Sequence, residues 1–261
     1  MKNKSLLNNK YVVLILFVAM VGVNFLANAL PLNGVTTGDL SDLYTNLFTP
    51  AGLTFSIWGL IYLLLGGFTI YQLTKESSAI SKLRRYFIWT SLANIAWIFA
   101  WHYQIIWLSL IIMVTFLVLL IKTASILRKQ QHTSKDHLWL KLPFSVYFGW
   151  ISVATIANFT VFFVDIGWNR FGLSEVFWMI AILIVGALIG SARALYDKNL
   201  AYLGVFVWAY IGILIKHTSP SEFAGAYPAV ITTLYILISA YVLLGMCIAA
   251  KKYLKTKSLT K

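Results

Sequence analysis

Residues 143–164 read PFSVYFGWISVATIANFTVFFV. As a helix, this stretch is long enough to cross a hydrocarbon core of roughly 30 Å. Within it Tyr147, Trp150, Ala154 and Asn158 recur at three- and four-residue steps, which puts all four on one helical face. An amide or an indole N–H turned to lipid would have no hydrogen-bond partner, so this face should meet other helices or a ligand. Two earlier segments repeat the design, one with Phe55, Trp58 and Tyr62, the other with Asn94, Trp97 and Trp101. Three such stripes imply a shared interior cavity walled by aromatic rings and fixed by amides.

Working outward, the whole chain has the character of that stretch. It is 60% hydrophobic and only 11% charged, with mean hydropathy +0.80. Soluble domains carry about a quarter charged residues. Apolar runs of span length alternate with short polar breaks, the pattern of an all-α, polytopic transmembrane bundle. Eight spans are expected, at about 11–30, 52–73, 86–101, 104–127, 142–164, 176–195, 200–217 and 229–250. His102, Tyr103 and Gln104 are the only break between the third and fourth. A single helix through both would be roughly 60 Å long, so a tight hairpin is expected there.

The net charge of +13 would suit nucleic acid, but its placement argues for a bilayer. Lys2, Lys4 and Lys10, then Lys75 to Arg85, Arg128 to Lys141 and Lys251 to Lys261 fall at alternate connections. With both termini cytoplasmic, every Lys and Arg except Arg170 and Lys216 lies inside, as the positive-inside rule requires. The expected location is the inner or plasma membrane. The first span, ending in Ala27-Asn28-Ala29, resembles a signal peptide but is read as retained. The connection Pro31 to Pro50, rich in turn residues, is either a lid over a cavity mouth or a solvated link.

Metal and hydrolytic chemistry find little support. Cys247 is the only cysteine, and none of the four His stands in mid-span, so no metal site is expected. His102 reads as a wet interface histidine and Asp165 as a water-exposed helix end. Ion-coupled transport normally buries charges at mid-membrane, and none of the charged residues sits near a span centre. Arg193 and Lys216 are close enough to helix ends to snorkel. Gly186-x-x-x-Gly190, with Ala187 and Ser191, offers a close-packing face toward the first five helices or a second subunit.

Three segments resemble the TspO/MBR family, the tryptophan-rich sensory proteins related to the mitochondrial translocator protein. Thr49-Pro50-Ala51-Gly52 leading to Phe55, Trp58 and Tyr62 is similar to the start of that family's second helix. Asn94-Ile95-Ala96-Trp97 resembles its third-helix Asn-x-x-Trp. Leu142-Pro143 followed by Trp150, Ala154, Thr155 and Asn158 resembles its fifth. The resemblance covers residues 11–165 and implies a five-helix bundle (1–165), extended by three further helices and a basic tail (166–261). It implies a flat hydrophobic ligand, porphyrin or haem, bound for sensing, trafficking or turnover, with no resident cofactor. The binding residues would be Phe55, Trp58, Tyr62, Asn94, Trp97, Trp101, Tyr147, Trp150, Ala154 and Asn158. If porphyrin is degraded, Trp97 and Trp150 are the candidates for a radical or photochemical step. The partners expected are the ligand, the bilayer and, as an option, a second copy. A small-molecule transporter and a non-catalytic scaffold stay open as alternatives.

Overall fold

The computed structural model describes residues 8–30 and 32–259, with side chains as far as residue 254. Lys2, Lys4, Pro31 and Lys261, and the side chains of Lys255 and Lys257, lie outside the described residues. The regular elements among the described residues are all helical. In chain order they are α1 (Lys10–Ala29), α2 (Thr37–Leu43), α3 (Ile57–Tyr71), α4 (Ser78–His102), α5 (Ile106–Arg128), the single turn α6 (Ser134–Asp136), α7 (Leu142–Asp165), α8 (Glu175–Asp197), α9 (Leu200–Thr218) and α10 (Pro228–Leu259).

Eight of these are long, one for each expected span, and the protein is a helical membrane bundle. Among the described residues, seven helical stretches are long and apolar enough to cross a membrane. The span that falls short is α4, because the charges near its start, Lys82, Arg84 and Arg85, combine with the interior-facing Thr90, Ser91 and Asn94. Polar groups that serve the inside of a bundle lower the hydropathy of the whole helix. The expected α4–α5 hairpin is present. Gln104 takes a left-handed conformation (φ 55°), while Gln104 N–H and Ile105 N–H return to the carbonyls of Trp101 and Ala100 at 2.9 Å each. This is a Schellman stop built without glycine.

The chain divides into two compact units: Met1–Thr45 with Ser56–Ile166, and Asn46–Phe55 with Gly167–Lys261. In the first, α7 is central, packed along α5 and α3, while α4 lies against α1 and α5. Every residue from Pro143 to Val153 is buried, so α7 has no lipid face over that length. Phe68, Phe87 and Phe144 lock α3, α4 and α7 together, with ring centroids 4.8–6.2 Å apart. Residues His137–Lys141, leading into α7, form a π-turn. Pro143 has no N–H to return to the Trp139 carbonyl, and a widened turn absorbs that loss. Gly67 of α3 lies directly under the Trp139 ring, where a β-carbon has no room.

In the second unit, α8, α9 and α10 pack on one another around Tyr202, Phe206, Tyr210 and Tyr241. Gly190 meets Phe206 and Tyr241, and the Tyr241 hydroxyl donates to the Gly186 carbonyl at 3.3 Å. The small-residue face of α8 is therefore used inside this unit. That corrects the expectation that it serves the first five helices or a second subunit. Residues Asn46–Phe55, read from sequence as loop and span start, are a strap on α9. Ala51 N–H donates to the Gly212 carbonyl at 3.1 Å, and Trp208 Nε1 donates to the Thr54 carbonyl at 2.9 Å.

Candidate functional site

The first unit gathers four of the expected residues into one aromatic cluster. Trp58 and Tyr62 are one turn apart on α3, and they stack with centroids 5.4 Å apart and planes 22° apart. Tyr147 and Trp150 on α7 present their edges to Trp58, at 6.1 Å and 6.3 Å. Such offset and edge-on geometries suit the ring quadrupoles. Tyr147 and Trp150 are buried, whereas Trp58 and Tyr62 are half-buried and keep part of their ring surface open. Although Tyr62 is only half-buried, its hydroxyl is enclosed and makes no hydrogen bond.

The α4 residues divide into two groups. Asn94 faces the interior beside this cluster, and the Tyr147 hydroxyl lies within electrostatic reach of both Asn94 and Tyr62. Asn24 of α1 donates to Asn94 Oδ1 at 2.6 Å and to the Met20 carbonyl at 2.9 Å. Trp97 is engaged in helix packing. It stacks on Trp101 (5.4 Å, 18°) and donates its Nε1 to Asn158 Oδ1 at 3.2 Å. The same oxygen accepts from Ser109 Oγ at 3.3 Å, and Asn158 Nδ2 donates to the Ala154 carbonyl at 3.0 Å. Asn158 is thus the polar rivet of α4, α5 and α7. Ala154 flanks it, half-buried. Phe55 falls in the strap of the second unit.

A cap closes the end of the first unit where α1 stops and α4 turns. Thr36 starts α2 with a capping box, its side chain accepting from Asp39 N–H and its own N–H donating to Asp39. Thr37 then ties three elements. Its N–H donates to Asn28 Oδ1 at 3.3 Å, its carbonyl accepts from Trp101 Nε1 at 3.3 Å, and its hydroxyl meets His102 Nε2 at 3.0 Å. His102 Nδ1 lies 3.1 Å from the Leu32 carbonyl, which only accepts. In the neutral ring Nδ1 therefore carries the proton, and Nε2 accepts from Thr37. His102 is fully buried rather than the wet interface residue its position suggested, because the α2 segment folds over it. Within the connection read as either a lid or a solvated link, residues 37–43 form a helix held through side chains of α1 and α4.

Ser91 was not singled out from sequence. It is fully buried, one turn before Asn94 on the same face of α4, and its hydroxyl has no partner. Its spacing from Asn94 was visible, but serine in a membrane helix is too common to stand out. Among the described residues no group of three His, Cys, Asp or Glu is placed to hold a metal ion.

A family model described as "TSPO-like protein" matches residues 10–248. No curated protein and no solved structure matches the chain. The match spans most of the sequence and runs through α8, α9 and nearly to the end of α10, beyond the five spans that carried the resemblance. The chain belongs to the TSPO-like family.

Proposed function

We propose that the first unit binds a flat hydrophobic ligand of porphyrin type, in an intramembrane site walled by Trp58, Tyr62, Tyr147 and Trp150, for sensing, trafficking or turnover. One observation carries the reading. Trp58 gathers Tyr62, Tyr147 and Trp150 from two helices, yet it remains half-buried beside a hydroxyl that nothing satisfies. A flat aromatic guest gains dispersion and edge contacts from such a wall, and water is excluded by the surrounding helices. The cap formed by α2 would limit escape toward the end occupied by His102. Basic segments at alternate connections favour a plasma or inner membrane with both termini cytoplasmic.

Titration of the purified protein with a free-base porphyrin tests this. Tryptophan quenching and a shift of the main porphyrin absorption band should saturate at micromolar ligand. Trp58→Ala with Trp150→Ala should raise the Kd at least about tenfold, the loss of roughly one aromatic contact's worth of binding energy. Unchanged affinity in that pair removes the site. Asn158 is unsuitable for this purpose, since its substitution breaks the rivet between α4, α5 and α7.

A further inference from the structure

We propose that His217 is a proton-sensitive latch, which holds the strap 46–55 on α9 while its ring is neutral and releases it when the ring takes up a second proton. The inference concerns the second unit and is independent of the ligand-binding reading above.

The strap meets α9 at three hydrogen bonds. Trp208 donates to the Thr54 carbonyl, and the Gly212 carbonyl accepts from Ala51. The third joins His217 Nε2 to the Leu47 carbonyl at 2.9 Å. An Asx turn sets up that contact. Asn46 Oδ1 accepts from the Phe48 and Thr49 N–H groups, and Asn46 Nδ2 donates to Thr49 Oγ1, all at 3.0 Å. Of the three bonds, only the one through His217 involves a group that titrates near neutrality.

A carbonyl only accepts, so Nε2 carries the proton of the neutral ring and Nδ1 keeps a lone pair. The residue is fully buried, and Nδ1 has no hydrogen-bond partner. The connection from α9 to α10 folds back to enclose it. Phe223 N–H donates to the Lys216 carbonyl at 3.2 Å, and Gly225 N–H donates to the His217 carbonyl at 2.9 Å. That fold brings the Phe223 and Tyr227 rings to 4.8 and 5.6 Å from the imidazole.

A second proton must enter at Nδ1. It creates an N–H without an acceptor, on a cation shut away from water, which is a costly combination. The faces of the two rings attract a cation but supply no lone pair for that N–H. Neighbouring charges add to the cost. Lys216, the adjacent residue on α9, acts on the ring electrostatically as a like charge. Glu222 of the loop lies 3.8 Å from the Lys216 ammonium, and Glu175 at the start of α8 pairs with Arg170 at 3.1 Å. The strap contributes no ionisable side chain, and the approach to α10 contributes Tyr227 alone.

Released into water, the ring titrates as an ordinary histidine, near pH ~6.5. The docked state then binds fewer protons than the released one. Docking is therefore strongest above that pH and weakens as the pH falls through it. The strap lies in sequence between α2 and α3, so its release slackens the connection between them. The positive-inside rule puts this end of α9 outside the cell, which makes external acidity the signal.

Hydrogen–deuterium exchange of the full-length protein in nanodiscs tests the latch. After correction for intrinsic exchange chemistry, amides of the strap should exchange at least about tenfold faster near pH ~5 than near pH ~7.5. The ceiling is roughly thirtyfold, the effect of one proton bound only in the released state. Amides in the middle of α8 should show no such change. His217→Gln, whose amide nitrogen still donates but binds no proton, should keep the strap docked and its exchange independent of pH. Lys216→Met keeps the imidazole, removes the neighbouring charge and should shrink the pH effect about threefold. Equal corrected exchange at both pH values in the wild type would overturn the latch. So would a rise that persists in full in His217→Gln or, should that variant fail to fold, in Lys216→Met.

Discussion

Arg84 shows what a charged residue does at the border of a bundle. Its side chain is only 3% exposed, and its guanidinium forks across the turn that ends α3. Nε donates to Gln72 Oε1 at 2.6 Å, and Nη2 donates to the carbonyls of Gln72 and Lys75 at 2.7 and 2.8 Å. Gln72 is itself fully buried, and its amide returns to the Lys10 and Thr69 carbonyls at 3.1 Å each. One planar cation thus satisfies the carbonyls that a helix end leaves open, and joins α4 to the end of α3. Arg84→Ala should cost roughly 3 kcal/mol, because several buried acceptors lose a charged donor together. Thermal unfolding in detergent should show a fall of several degrees. Arg84→Lys should fall nearly as far, since an ammonium cannot span the fork. A melting temperature unchanged in both would mean that water replaces the guanidinium. In the sequence Arg84 was legible only as one more positive charge among Lys82 and Arg85. Which of three adjacent cations turns inward depends on where Gln72 and α3 end, and that is a tertiary fact.

Among elements, the long helices were legible because a bilayer imposes a length and an apolar surface on each one, and residues 143–164 state both. The stripe positions Tyr147, Trp150 and Asn158 also emerged on buried ground. What the stripes do was less legible. Helical spacing places Trp97 and Asn158 on inward faces, but it cannot say that they would bond to each other rather than to a guest. The segment 46–55 was least legible, since its polar, Pro-containing composition fits a loop, a lid or a strap equally. Its placement depends on α9, more than 150 residues away by the Trp208–Thr54 bond. Gly212 makes that docking possible, because a β-carbon there would overlap the Thr54 side chain. Gly212→Ala should therefore destabilise the second unit by about 1–3 kcal/mol, the usual cost of overpacking. Gly204, on the same helix, has open space where a methyl group would go and serves as the control. Gly204→Ala should be neutral or slightly stabilising. Differential scanning fluorimetry of the two variants side by side decides it, and equal behaviour would mean that the strap yields freely.

At the scale of the whole molecule, the positive-inside rule turns the charge pattern into a prediction of the direction in which the chain enters the membrane. Exposed cations such as Lys82, Arg85, Lys129, Lys135, Lys251 and Lys252 fall on connections separated by an even number of crossings. The two cations on the other connections are both neutralised. Arg170 pairs with Glu175 at 3.1 Å, and Lys216, 10% exposed, lies 3.8 Å from Glu222. With Asp39, Asp42 and Asp165 on those same connections, the side they share carries no positive excess. Orientation follows the number of Lys and Arg near helix ends, and only these two lie on that set of connections. Both termini should then be cytoplasmic. The prediction is open to labelling, because Cys247 is the only cysteine and Cys247→Ser leaves a silent background. In that background Phe171→Cys, at a 77% exposed position between α7 and α8, should react with a membrane-impermeant maleimide on intact cells. Gln131→Cys, exposed between α5 and α6, should react only after the membrane is permeabilised. The reverse pattern would invert the topology, and the cap held by His102 and Thr37 would then close the site from the cytoplasm.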